Sequence, residues 1–207
     1  MAHSLLNNPR VRSRFLARQA NRAFTLVEMA IVVVIIGVLS VLAVVAYRRL
    51  ILSSNLSEAT HMVNAIRVAQ EAYHAETQQY ASPSAGLGVG QGLYPTQNDP
   101  PTNRKTGWGS TTGIGTAWAA LPVHADGAVM YGYATIGGVA GSTTSYSGVS
   151  CTPPTVNGNS TGLTFPSPST TDWYVITAFG DPNNDTVYSA VIGTSWTNDL
   201  FTYNQGD

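Results

Sequence analysis

Residues 24–46 read FTLVEMAIVVVIIGVLSVLAVVA, a run of 23 residues in which Glu28 is the one charged side chain. A helix of that length, rising about 1.5 Å per residue, crosses a hydrocarbon core of about 30 Å. Val and Ile dominate the run and would favour strand in water, but a lone segment in lipid must satisfy its own backbone, which leaves only helix. Three readings compete: a cleaved secretory signal, a single-pass anchor, and a segment that starts in the membrane and ends in a filament. Val44-Val45-Ala46 offers small residues for a signal peptidase before Tyr47. Against this, the apolar stretch exceeds the roughly 7–15 residues of a secretory core and contains a carboxylate.

Glu28 carries the most information. A carboxylate in the apolar layer costs roughly 2.5–3.5 kcal/mol on lenient insertion scales and needs a partner. A cut between Ala23 and Phe24 would create one, because the new α-amino group is a cation at the start of the same helix, within reach of Glu28 on a neighbouring subunit. On the N-terminal side, residues 1–23 hold five of the ten basic side chains (Arg10, Arg12, Arg14, Arg18, Arg22) and no Asp or Glu. This is the flank the positive-inside rule places in the cytoplasm. The remainder is acidic, five basic residues against all eleven acidic ones, and offers no nucleic-acid surface.

Arg22-Ala23-Phe24-Thr25-Leu26-Val27-Glu28 followed by the apolar run resembles the cleavage and N-methylation motif of type IV prepilins and type II secretion pseudopilins. The resemblance covers about 30 residues. It implies that a membrane peptidase and methyltransferase removes residues 1–23, cutting after Ala23 and methylating Phe24. It also implies that Phe24 and Glu28 then serve assembly with other subunits on an inner-membrane platform. Ala23 stands where the family usually has Gly, Val45 where many members have Pro, and the leader is longer than in many members.

Beyond Tyr47, Leu52, Leu56, Ala59, Val63, Ile66, Ala69 and Tyr73 fall three or four apart among polar residues, an amphipathic helical pattern. No Gly or Pro interrupts residues 38–82. One helix is therefore expected over about residues 24–79, its outer half (47–80) lying against a sheet. Residues 81–207 form a loop-rich β head in this reading. Residues 81–128 are a Gly/Pro/Thr/Asn-rich connection. Strands are expected at 127–136, 172–179, 186–192 and 199–203, with a second large loop at 137–171. The fold class is α+β and pilin-like: a long N-terminal helix on a small antiparallel sheet.

Other candidate sites have plainer readings. Glu58-x-x-His61 and Glu71-x-x-His74 share the spacing of carboxylate-bridged di-iron bundles. Both sit on one helix, however, and a separation of 13 residues turns them about 220° apart at about 100° per residue, so they read as solvated faces. The alternating glycines Gly86, Gly88, Gly90 and Gly92 follow no strand and read as a flexible loop rather than a phosphate cradle. Asp181, Asn183 and Asp185 alternate like the first half of a calcium loop, with a structural Ca²⁺ as the alternative to a plain β-turn. No other cofactor is expected. Cys151 is the sole cysteine, a buried or loop thiol unless it pairs between molecules.

No Ser/His/Asp, Cys/His or paired-carboxylate arrangement supports catalysis, so the chain is not read as an enzyme. The expected function is a structural subunit, major or minor, of a type IV pilus, first anchored in the inner membrane with its head in the periplasm and then displayed in an extracellular filament. Alternatives are a type II secretion pseudopilin and a membrane-anchored binding module that never polymerises.

Overall fold

The computed structural model describes residues 24–109 and 113–205. Helix α1 runs Leu26–Thr77 without a break, followed by a short α2 (Ile114–Trp118) and six strands: β1 (Gly132–Gly138), β2 (Thr155–Val156), β3 (Asn159–Ser160), β4 (Trp173–Gly180), β5 (Ser189–Thr194) and β6 (Leu200–Tyr203). The chain divides into two compact units between Ala43 and Val44. In the first, the apolar side chains of α1 are exposed along the whole run.

In the second unit, β1, β4, β5 and β6 form one antiparallel sheet in that order, and β2 pairs with β3 in a separate two-residue hairpin. One face of the sheet, with Tyr174 and Ile176 of β4 and Val191 of β5, packs on Ala59, Met62, Val63, Ile66 and Ala69 of α1. All of these helix residues except Met62 belong to the stripe that the sequence spacing marks out. The alternate residues Trp173 and Val175 of β4, with Ile136 and Ile192, pack instead with Cys151, Phe165 and Trp196. The large loop at 137–171 thus covers the second face, and β1, β4 and β5 are buried at every position. Helix on one side and loop on the other give the expected α+β architecture, with a loop layer that alternation alone does not reveal.

Strand boundaries differ from expectation for identifiable reasons. The first strand begins at Gly132 rather than 127, because the Met130 N–H donates to Glu58 Oε1 (2.7 Å) instead of entering the ladder. The third expected strand begins at Ser189 rather than 186, because side chains capture the three preceding amides. Asp181 Oδ2 accepts from Thr186 N (3.0 Å), Asp185 Oδ1 from Val187 N (2.8 Å) and Asn157 Oδ1 from Tyr188 N (2.8 Å). Helix α1 ends where Gln78 turns left-handed at φ 58°, its N–H still bonded to His74 O at 2.8 Å.

The connecting region 81–128 is better packed than its composition suggests. Tyr94 stacks on Trp118 with ring centroids 5.1 Å apart, and Trp108 meets both edge-on. Tyr94 also bridges to Tyr133 of β1. The loop aromatics are therefore part of the core.

Candidate functional site: the N-terminal end of helix α1

The start of α1 is built as a capping box, the reciprocal pairing of a Thr at the cap with a Glu three residues on. Thr25 Oγ1 accepts the Glu28 N–H at 3.1 Å. In return, Glu28 Oε2 accepts both the Thr25 N–H and the Thr25 O–H, each at 2.8 Å. Two orphan donors of the first turn are thus satisfied inside the chain, and the acidic side chain lies at the positive end of the helix dipole.

This geometry bears directly on the cost of Glu28. Its Oε2 is occupied within its own chain, whereas Oε1 accepts no hydrogen bond among the described residues and the side chain is exposed. An open carboxylate oxygen beside Phe24, which is 77 % exposed, can receive a cation from another molecule without breaking the cap. Further along the run, Ser40 Oγ donates to Ile36 O at 2.7 Å, so the hydroxyl in mid-span is satisfied locally as lipid requires. Ala23, the residue on the other side of the expected cut, lies outside the described residues. The Thr25-x-x-Glu28 signature ahead of an apolar run is legible in sequence, yet attention to the charge of Glu28 alone misses Thr25.

The remaining candidates are placed as follows. Glu58 and Glu71 do not converge, and they are more than solvated faces. Glu58 pairs with Lys105 through Oε2 while its Oε1 holds the Met130 amide, which ties α1 to two loop segments. Glu71 accepts from Tyr80 O–H (3.2 Å to Oε2), and His74 lies 3.4 Å from Asp172 while stacking on the Tyr80 ring at 4.3 Å. Burial, reinforced by the Glu71 charge, pushes the Tyr80 hydroxyl well up. The glycine run is pinned rather than open: Leu87 and Leu93 are buried, and Leu87 O accepts from Thr177 Oγ1 at 2.9 Å.

Asp181, Asn183 and Asp185 do come together. The Asp181 carboxylate is buried and spends both oxygens on backbone amides, and Asn183 Nδ2 donates to Asp185 Oδ2 at 2.8 Å. These bonds are those of a self-supporting turn, and no group of three or more His, Cys, Asp or Glu among the described residues is arranged to hold a metal. Cys151 is a free, buried thiol, and burial pushes its pKa up to about 12.

The site is thus an apolar helix of membrane-crossing length that opens on a capped carboxylate. Residues 18–44 match the family model described as the prokaryotic N-terminal methylation motif, so the chain carries that motif. It is also similar to the fimbrial protein EcpC of Eikenella corrodens, 31 % identical over 72 residues that cover 35 % of this chain and 47 % of that protein. The match thus spans about half the length of that relative. No solved structure matches significantly.

Proposed function

We propose that the protein is a structural subunit of a type IV pilus, cut after Ala23, methylated at Phe24 and polymerised through the apolar half of α1. The observation that carries this reading is the coincidence of the methylation motif at residues 18–44 with an exposed apolar half of α1 whose single carboxylate keeps one oxygen free of bonds among the described residues. An exposed run of that kind demands lipid or like helices around it. The α-amino group of a cut neighbour supplies the cation for Glu28 Oε1, and the pairing fixes the register between subunits. Likeness to a fimbrial protein favours a filament over a lone anchor, and a non-catalytic role over an enzymatic one.

In this account the precursor sits in the inner membrane with its head in the periplasm, and the filament is extracellular. Its partners are other subunits, the prepilin peptidase and methyltransferase, and the assembly platform. The test is to shear filaments from cells expressing the full chain and probe them for it. Recovery in the sheared fraction supports a surface pilus; retention in a periplasmic filament would instead identify a secretion pseudopilin, and absence from any filament a binding module.

A further inference from the structure

Immediately after the apolar run come Tyr47, Arg48 and Arg49, on the side of the span where the positive-inside rule disfavours basic residues. Neither arginine makes a hydrogen bond or ion pair among the described residues, and both are exposed. Two other cations of the head are engaged, Lys105 with Glu58 and Arg67 with the carbonyls of Thr194, Thr197 and Asn198, while Arg104 is exposed away from this cleft. Val45, Arg48, Arg49 and Leu52 recur at the three- and four-residue spacing of one helix face. With Ile51, Pro182 and Asn183 they line a cleft of about 650 Å³. The turn opposite gives the arginines no partner, since Asp181 and Asp185 spend their carboxylates on its own amides and on Asn183.

We infer that this cleft, formed by Val45, Arg48, Arg49 and Leu52 against Pro182 and Asn183, binds the headgroup of an anionic phospholipid in the leaflet that faces the β head. The occupant follows from position and chemistry. A span ending at Ala46 sets Arg48 and Arg49 at headgroup depth, and Tyr47 is the amphipathic aromatic that belongs at that boundary. Two adjacent guanidiniums match a phosphate diester, while Val45, Ile51 and Leu52 supply an apolar wall for the start of an acyl chain. The inference rests on the membrane-spanning reading of residues 24–46 but not on filament formation. It makes the cleft a depth gauge that holds the base of the head against the bilayer until the helix is withdrawn.

The test uses the full chain, first checked for resistance to alkaline carbonate extraction and then placed in nanodiscs of mixed phosphatidylglycerol and phosphatidylcholine. Native mass spectrometry reads which lipids remain bound on release. Each basic side chain at an anionic surface contributes roughly fivefold in affinity, so the wild type should enrich phosphatidylglycerol and Arg48→Gln/Arg49→Gln should lose about tenfold or more of that preference. Arg104→Gln, another exposed arginine, should keep it, with circular dichroism unchanged in both variants. Equal lipid retention by wild type and double variant would overturn the inference, and so would loss of self-association in place of lipid preference, which would make the pair a subunit contact. Displacement of the lipid by millimolar inorganic phosphate would overturn the lipid assignment in favour of a soluble anion. A chain extracted by carbonate would fail at the earlier step, overturning the span and the inference together.

Discussion

Within a single chain Glu28 Oε2 closes the capping box with Thr25, while Oε1 accepts no bond among the described residues and, on the proposed function, pairs with a second molecule. Glu28→Ala should therefore leave membrane insertion intact, or improve it, while reducing incorporation into sheared filaments severely; normal incorporation would remove the pairing from the account. Thr25→Ala should cost about 1 kcal/mol at the cap and speed amide exchange in the first turn, measurable in detergent micelles. Gln70 is a different case, because nothing in an amphipathic pattern marks a fully buried amide. It donates to Ala81 O and Thr135 Oγ1 and accepts from Ala81 N, each at 2.9 Å, and so fastens the chain reversal after α1 to both the helix and β1. Gln70→Leu strands those partners and should destabilise the head by about 2–3 kcal/mol in urea unfolding, a prediction of the penalty for unmade buried bonds. The sequence alone reveals a charge in the wrong solvent, as at Glu28, but not a polar group whose partners lie across the fold.

At the scale of elements, α1 was readable nearly end to end because two periodic signals, a continuous apolar run and then a three-four stripe, join without a Gly or Pro between residues 38 and 82. The four strands of the main sheet were legible in order, but the short β2–β3 hairpin inside 137–171 was not, and the strand starts depended on side chains that take amides out of the ladder. Glu58 acts in this way before β1, and Asp181 with Asp185 before β5. The loop layer over the second face was not legible, since Gly/Ser/Thr-rich composition hides the few buried contacts of Cys151, Val156 and Phe165. The helix lies near enough to β5 that a Cβ at Gly193 would sit 2.9 Å from Val63 Cγ1. Gly193→Val should push the helix off the sheet at a cost of about 1–3 kcal/mol, seen as a lower urea midpoint. Because the turn at 181–187 satisfies its own amides, chelation of calcium should leave thermal unfolding unchanged; a higher melting temperature with added Ca²⁺ would instead assign Asp181, Asn183 and Asp185 as ligands.

The whole molecule has a definite response to alkali. Burial raises the pKa values of Tyr131, Tyr133 and Tyr174 above the ordinary 10.0 and that of Cys151 from 9.0 to about 12, and it is the largest cause of the rise at Tyr80. The unfolded chain therefore releases these protons first, and the folded state binds more protons than the unfolded one above about pH 9. Stability should be constant with respect to these groups below that pH and should fall as the pH rises toward 12, in urea titrations at fixed salt. The same burial holds the folded Cys151 as the thiol at pH 8, so its alkylation there should be slow compared with that of the unfolded chain. An intermolecular disulfide through Cys151 would require the loop layer to open.

On the proposed function, the apolar half of α1 would exchange one apolar environment for another on assembly, since lipid tails are as apolar as Leu and helix association there depends on packing and polar contacts. That would place unusual weight on the proposed charge pair at the helix start, and hence on the proposed cut that creates its cation. The most direct measurement is the N-terminal sequence and mass of the protein recovered from membranes and from sheared surface material. The account predicts a chain beginning at N-methylated Phe24 in both fractions. A terminus at Tyr47 would contradict it by showing a secreted soluble protein, and a chain retaining residues 1–23 would contradict it by showing an anchor that is never processed.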